Sequence, residues 1–523
     1  MAWKGLSEIA ENLTEAEVRF EKQRRLFGLV AGPLIFFVCM LVPPLPETEA
    51  VGMRTLGIFL WTVIWWVCEP IPIPVTSFLG TALLVLAGVQ GVGPAFSGWS
   101  NWINIFLLGA CIIGHAMSVH GLTKRIAYRM VASRFVGGDP WRILLLFGLG
   151  CAAMSSMMSH VVTTMIFIAI ATGLGETFDF KKNPRYAECL FLAIAWGSNL
   201  GIVTPVGTPP NLMAIGFAER IGYRIGFLEW IQACLPVFIV SMAAVFIVIK
   251  YILRPEMPKW DRSQEFLEGE LKKLGSMSRG EKIVATVFLT AMFLWMLPDL
   301  VPLGIDGLNK VGLMSTVGAQ HPVSIWLKSH LDWSVSAIIM ATALFLIPTD
   351  WKNWEFAMTW EQAVKGVEWG TLSLIAAALS LGNAIASPTI GLGTFLQKTI
   401  TSFGEAGGSE FLFVLLVVSF TVIVGAFISN IAIMGMVGAL VMAIAPTASF
   451  NPIAMIVAVG MAASFDFALP IGTPPSAMVF ASGYVRIGTM FKGGAILALF
   501  GIAIVSLMGY YLVAWTIPWP IAQ

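Results

Sequence analysis

The chain has 523 residues, 57% of them hydrophobic and only 12% charged, with 31 Lys and Arg against 30 Asp and Glu for a formal net charge of +1. That charged share is about half of what an ordinary soluble domain carries, which excludes a water-soluble class and leaves an all-α polytopic membrane protein. So neutral a balance implies neither nucleic acid nor an acidic protein as a partner, and the six cysteines (Cys39, Cys68, Cys111, Cys151, Cys189, Cys234) sit in apolar segments without metal-ligand spacing or a disulfide framework.

No cleavable signal peptide is expected, because the first apolar run begins near Leu26, after a charged helix over 13–25 that should lie at the membrane interface. Hydropathy predicts spans over 26–42, 55–86, 103–119, 144–174, 187–203, 230–251, 282–297, 335–347, 369–386, 411–445, 453–467 and 494–515. The polar stretch 254–280 divides the chain into halves. Its Lys259, Arg262, Lys272, Lys273 and Arg279, with Lys22, Arg24 and Arg25, place it and the N-terminus in the cytoplasm. Residues 301–333 read as an extracytoplasmic excursion.

The run 144–174 is preceded by Lys124, Arg125, Arg129, Arg134 and Arg142 and followed by Lys181, Lys182 and Arg185, so both ends belong in the cytoplasm. A re-entrant helical hairpin satisfies this, its tip at Ser155-Ser156-Met157-Met158-Ser159-His160. The run 411–445 has no basic residue at either margin, only Glu405 and Glu410, and predicts a hairpin entering from outside with its tip at Ser429-Asn430. Each hairpin precedes an interrupted apolar segment: Thr204-Pro205-Val206-Gly207-Thr208-Pro209-Pro210-Asn211 in the first half and Leu469-Pro470-Ile471-Gly472-Thr473-Pro474-Pro475-Ser476 in the second. Proline lacks the N–H and clashes with the preceding turn, so these stretches unwind. Unwound backbone at membrane depth must be buried in protein or line a cavity, and paired interruptions in two halves point to a central substrate site. The predicted organisation is 1–54, an interfacial helix and first span; 55–253, repeat 1 with its hairpin over 144–174 and broken helix over 187–216; 254–333, linker, span and loop; 334–517, an inverted repeat 2 with its hairpin over 411–445 and broken helix over 453–484; and 518–523, a tail.

With these elements in place the chain resembles the divalent anion:sodium symporter family. The resemblance rests on Trp65-Trp66, Glu69-Pro70-Ile71-Pro72-Ile73-Pro74-Val75-Thr76, Ser198-Asn199-Leu200-Gly201, Phe427-Ile428-Ser429-Asn430 and Phe480-Ala481-Ser482-Gly483-Tyr484, in order around the two Gly-Thr-Pro-Pro loops. It implies an elevator-type secondary transporter, dimeric, with a static scaffold domain and a mobile transport domain, moving C4 dicarboxylates, citrate-like acids or sulfate. Each family tip reads Ser-Asn-Thr. Carried over, the substrate residues are Ser159, His160, Val161, Ser429, Asn430 and Ile431, with Thr208, Pro209, Thr473 and Pro474 on the loops. The first sodium site would fall to Ser155, His160, Ser198, Asn199, Gly201 and Gly207, the second to Gly425, Ile428, Asn430 and Gly472.

This chain departs from that pattern, since His160 stands where the family has asparagine, and Val161 and Ile431 where it has threonine. An imidazole suits sodium poorly but supplies a cation beside an anionic substrate. The main expectation is therefore sodium-independent exchange or proton coupling, with sodium-coupled dicarboxylate or sulfate symport as the alternative and an anion channel as a distant one. Sodium is the one candidate ion and no cofactor is expected. Asp466, buried in an apolar span, is expected to relay a proton or to pair with a scaffold cation. His115 and His120 read as packing residues without ligand partners at helical spacing, Glu69 as a helix break, and Arg220 and Arg224 as loop charges at an outer vestibule. An enzyme is not expected: Ser159 and His160 are adjacent and diverge by about 100° on a helix, and no metalloprotease, phosphate-loop or aspartate-pair motif occurs.

Overall fold

Backbone groups in a bilayer have no water to bond, so apolar runs close their hydrogen bonds within helices. The structure is a computed structural model describing residues 15–132, 139–175, 179–257, 263–310, 317–405, 409–448, 450–517 and 519. Leu13, Thr14, Arg134, Lys259, Arg262 and nearly all of the tail 518–523 lie outside the described residues. Among those described, seven helices are long and apolar enough to cross a membrane, or eight if the bent pair Pro322–His330 and Trp333–Leu346 is one span. The only strands there form a two-stranded ribbon, Pro348–Asp350 against Glu355–Phe356. The chain is an all-α multi-pass membrane protein.

Three predicted boundaries are corrected. The interfacial helix and first span are one helix, Glu15–Leu41, which runs through Pro33; Arg24 and Arg25 stay within it by pairing with Glu21 at 3.0 and 3.8 Å. The second span is two helices, Ala50–Cys68 and Ile73–Leu86, split where Glu69 takes a left-handed φ of 47° ahead of the proline run. The excursion over 301–333 begins later than hydropathy suggests, because Arg279–Lys310 continues as one helix through Pro298 and Pro302. The cost of a proline inside a helix is absorbed there by packing, both rings being buried.

The two halves repeat one another. The hairpin Pro140–Ser155 and His160–Leu174 recurs 270 residues later, end for end, as Glu410–Gly425 and Asn430–Ile444. Trp102–Val119 likewise has an 18-residue counterpart, Trp369–Ala386. The broken helices are Pro184–Asn199 with Pro209–Arg220, and Pro452–Ala462 with Pro474–Ala481. They form the centre: every residue of Pro452–Ala462 is buried, as is every residue from Tyr186 to Asn199. Pro209–Arg220 packs against Asn430–Ile444 and Pro452–Ala462, so the first half's broken helix rests on second-half elements. Trp369–Ala386 packs on Ile73–Leu86, and Trp102–Val119 on Trp333–Leu346, with Trp102, Phe106, Phe227, Trp295 and Trp333 sharing edge-on ring contacts.

The polar segment between the halves is fastened by one buried cation. Arg125 donates from Nε to Glu281 at 2.6 Å and from its terminal nitrogens to the carbonyls of Leu274, Gly275 and Ser276 at 2.9, 2.7 and 3.2 Å. Removing one member of a buried pair leaves the other uncompensated, whereas removing both is far milder. Arg125→Met and Glu281→Met should each lower the melting temperature by several degrees, and the double variant should recover part of the loss. Additive losses in a thermal melt would show that the two side chains are not coupled.

Candidate functional site

At the first tip, Ser155 Oγ donates to the carbonyl of Ser198 at 2.7 Å, and Thr204 Oγ1 donates to the carbonyl of Ser156. The carbonyl of His160 accepts from Thr164 Oγ1 at 2.7 Å and from Ser198 Oγ at 3.2 Å. Tip and loop are therefore one hydrogen-bonded unit. Glycine is required in it twice: a Cβ on Gly207 would stand 1.8 Å from the carbonyl oxygen of Gly201, and one on Gly201 would stand 2.6 Å from Ser155 Oγ. The expected first-site residues Ser155, His160, Ser198, Gly201 and Gly207 are thus brought together.

The second tip closes on the second loop through the backbone N–H of Asn430, which donates to the carbonyl of Gly472 at 3.4 Å. The N–H of Ile428 turns back to the carbonyl of Gly425 at 3.2 Å. The tips share one burial pattern: His160 and Asn430 are buried at 6% and 4% exposure, whereas Ser159, Val161, Ser429 and Ile431 are half-buried. The loops then meet each other. Thr208 Oγ1 lies 3.4 Å from Ser464 Oγ, while Asn199 Nδ2 donates to the carbonyl of Asp466 at 2.8 Å and to Ser476 Oγ at 3.2 Å. Thr473 Oγ1 donates to Ser476 Oγ at 3.0 Å.

Four helices start here, at His160, Pro209, Asn430 and Pro474, after the N-cap residues Ser159, Thr208, Ser429 and Thr473. Elsewhere the hydroxyl N-caps Thr359 and Ser409 each accept from a backbone N–H of the first turn, whereas Glu49 and Glu368 make no capping bond. At these four the side-chain oxygen makes no capping bond. Thr208 and Thr473 even share a backbone conformation, φ −139° and ψ 144° against φ −135° and ψ 146°. The helix starting at His160 presents N–H groups as well as the positive end of its dipole, whereas Pro209-Pro210 and Pro474-Pro475 have no N–H to give and the N–H of Asn430 is bonded to Gly472, so those three starts offer an anion the dipole and the neighbouring hydroxyl.

The residue that sequence reading missed is Glu368, the N-cap of Trp369–Ala386. Its carboxylate accepts from Ser159 Oγ at 2.8 Å and from Thr371 Oγ1 at 3.2 Å, and it is the electrostatic neighbour of His160. An acid at the start of an apolar span looks like an interface charge, so nothing local marked it. Glu188 was missed as well: buried in Pro184–Asn199, it accepts from Arg486 Nε at 2.5 Å and from Thr489 Oγ1 at 3.2 Å.

Asp466 has neither kind of partner considered for it. It is 2% exposed, and among the described residues its carboxylate makes no ion pair and no hydrogen bond. Asn199 Oδ1 and Asn211 Oδ1 are also buried without partners there. Buried oxygens left open fit a hard cation. His120 Nε2 is bound to the carbonyl of Ala357 at 2.7 Å and His115 packs against Gly366. Arg224 pairs with Asp332 and lies over the Trp102 ring, and Arg220 lines a cavity of about 350 Å³ with Asn383, Ser387 and Trp519.

The family model described as the sodium:sulfate symporter transmembrane region matches residues 23–519. The sodium-dependent dicarboxylate transporter SdcS of Staphylococcus saprophyticus is 29% identical over 504 residues, 94% of this chain and 91% of that protein. The transporter of the same name from Staphylococcus aureus strain USA300 is 28% identical over 501 residues, 93% and 91% of the two chains. Among solved structures, the Alcanivorax borkumensis YdaH transporter aligns with a TM-score of 0.53 at 14% identity, over 89% of this chain and 99% of that one. Neisseria gonorrhoeae MtrF aligns with a TM-score of 0.52 at 14% identity, over 82% and 84%. Both are likenesses of fold.

Gly207→Ala should fail to assemble the first tip on its loop, because the obstacle is backbone and cannot rotate away. Gly114→Ala, whose new methyl would meet nothing nearer than 3.9 Å, should be neutral. Thermal melts of the two purified variants check this, and a native melt for Gly207→Ala would contradict the packing described.

Proposed function

The chain belongs to the sodium:sulfate symporter family, and from that premise we propose that it is a secondary transporter carrying small dicarboxylates across the cell membrane together with sodium. The observation that carries the reading is the set of four uncapped helix starts at hydroxyl residues. A C4 dicarboxylate has two carboxylates to offer to two equivalent sets of residues: Ser159, His160, Val161 and Thr208, and Ser429, Asn430, Ile431 and Thr473, with Pro209 and Pro474 shaping the loops and donating nothing. Loss of both tip threonines removes two hydroxyl donors and leaves the hydroxyls of Ser159, Thr208, Ser429 and Thr473 to meet the substrate.

The names of the two staphylococcal relatives support sodium coupling over the sodium-independent exchange or proton coupling suggested by His160. The oxygens of Ser155, Ser198, Gly201 and Gly207 suit one sodium, and those of Gly425, Ile428, Asn430 and Gly472 another. His160 takes part in the first cluster through its carbonyl, which any residue supplies. Both hairpins and both broken helices form the transport domain, and the early spans and their counterparts after Trp333 form the scaffold of a homodimer, with the N-terminus and 254–280 cytoplasmic. The Ser159–Glu368 bond then joins the moving tip to the static part, and a substrate carboxylate must displace Glu368 to accept the Ser159 hydrogen bond.

Two measurements test this reading. Uptake of labelled succinate into proteoliposomes should require an inward sodium gradient; equal uptake in choline, stimulated by internal dicarboxylate, would hand the assignment to exchange. Glu368→Gln replaces a charge-assisted hydrogen bond by a neutral one of about half the strength. Succinate binding should therefore tighten, by about tenfold if roughly 1.4 kcal/mol is released. Weaker binding would show that Glu368 orients Ser159 for the substrate instead of competing with it.

A further inference from the structure

The carboxylate of Asp466 is held in a way that no group among the described residues explains. Asp466 lies in the second unwound stretch, between Pro452–Ala462 and Pro474–Ala481, with both oxygens buried and without hydrogen-bond partners among the described residues. Its backbone carbonyl is fixed by Asn199 Nδ2 at 2.8 Å, so the residue is pinned in place, and Asn199 Oδ1 beside it is open. The carboxylate is aimed at Gly472. A Cβ built on that glycine would come within 1.2 Å of Oδ2 and 2.7 Å of Oδ1, so the acid fills the space where an alanine would put its methyl group. The glycine and the acid are therefore a matched pair. The carbonyl of the same Gly472 accepts the N–H of Asn430 from the second tip.

An ionised carboxylate buried without a partner is very costly, and in proteins such a group is paired, holds a metal ion or takes up a proton. Among the described residues no lysine, arginine or histidine pairs with Asp466, and no cluster of three or more His, Cys, Asp or Glu surrounds it. The donors present are oxygens with a single negative charge, a set that fits a hard monovalent cation better than a transition metal or a divalent ion. We propose that Asp466 is an anionic side-chain ligand of the sodium ion held between the second tip and the second unwound loop. This rests on the sodium-coupled reading above and extends it. Sodium bound by neutral oxygens alone leaves a net positive charge that only the substrate anion can offset. With Asp466 the site is neutral once sodium enters, so sodium binds before and without the dicarboxylate.

The test is equilibrium binding of radioactive sodium to the purified full-length protein in choline buffer without dicarboxylate, read alongside the sodium-dependent rise in melting temperature. Wild type should bind saturably. Asp466→Asn keeps the shape, removes the charge, and should raise the half-saturating sodium concentration by about tenfold or more. The double variant Asp466→Ala with Gly472→Ala, in which the new methyl occupies the vacated space, should fold and show the same loss. If either folded variant binds sodium with the wild-type curve, Asp466 is not a ligand and the inference falls while sodium coupling stands. If wild type binds succinate but no sodium, the sodium-coupled reading falls with it.

Discussion

Unwound backbone inside a bilayer must find every hydrogen-bond partner within the protein. Much of this molecule follows from that demand. The stretch between Asn199 and Pro209 is held by the first tip, through Ser155 and Thr204, and the stretch between Ala462 and Pro474 by the second tip, through Asn430. The stretches also hold each other, since Asn199 serves the carbonyl of Asp466 and Trp196 Nε1 donates to the carbonyl of Phe467 at 3.1 Å. Glycine appears where these strands of chain press together, as at Gly207 against Gly201, because a side chain of any size would push the partners apart.

What this tight arrangement leaves open is as informative as what it closes. The four N-cap hydroxyls are not spent on capping, and the oxygens of Asp466, Asn199 and Asn211 are not spent on donors. The hydroxyls, bonded instead to side chains such as Glu368 and Ser476, suit a ligand that accepts hydrogen bonds, and the unpartnered oxygens suit one that carries positive charge. The two groups adjoin through Thr473, Ser476 and Asn199. Under the proposed sodium-coupled function, coupling between the two ligands needs no long pathway, because both would act on the same pair of loops.

Much of this was legible in the sequence, for reasons that differ by element. Prolines and glycines break helices locally, so both unwound loops could be placed from composition, and the charge flanking 144–174 marked the first hairpin. The 270-residue spacing of the tips holds along the whole hairpins. Helix continuity was harder: Pro33, Pro298 and Pro302 sit inside helices because tertiary packing outweighs local preference. The partners were hardest of all. Glu368 lies 209 residues from Ser159 and Glu188 lies 298 from Arg486, and nothing near either acid identifies its mate. His160 was hard to read for a related reason. Its residue type suggested a change of coupling ion, whereas the part of it engaged with the first loop is main chain.

The clasp between Glu188 and Arg486 bears on how the chain is made. Glu188 is buried in the first half, and its donors, the Arg486 guanidinium, the Arg486 backbone N–H and Thr489 Oγ1, all belong to the second. While the ribosome is still working through the hairpin over Glu410–Ile444, the first broken helix has in hand neither the cation that neutralises its glutamate nor the carbonyls that its Asn199 and Trp196 will bond. Its final burial must wait for the last segments to emerge. Biogenesis is thus forced to a late, concerted closure of both halves, and a nascent chain stopped before Arg486 would present an unpaired acid to the quality-control machinery of the membrane.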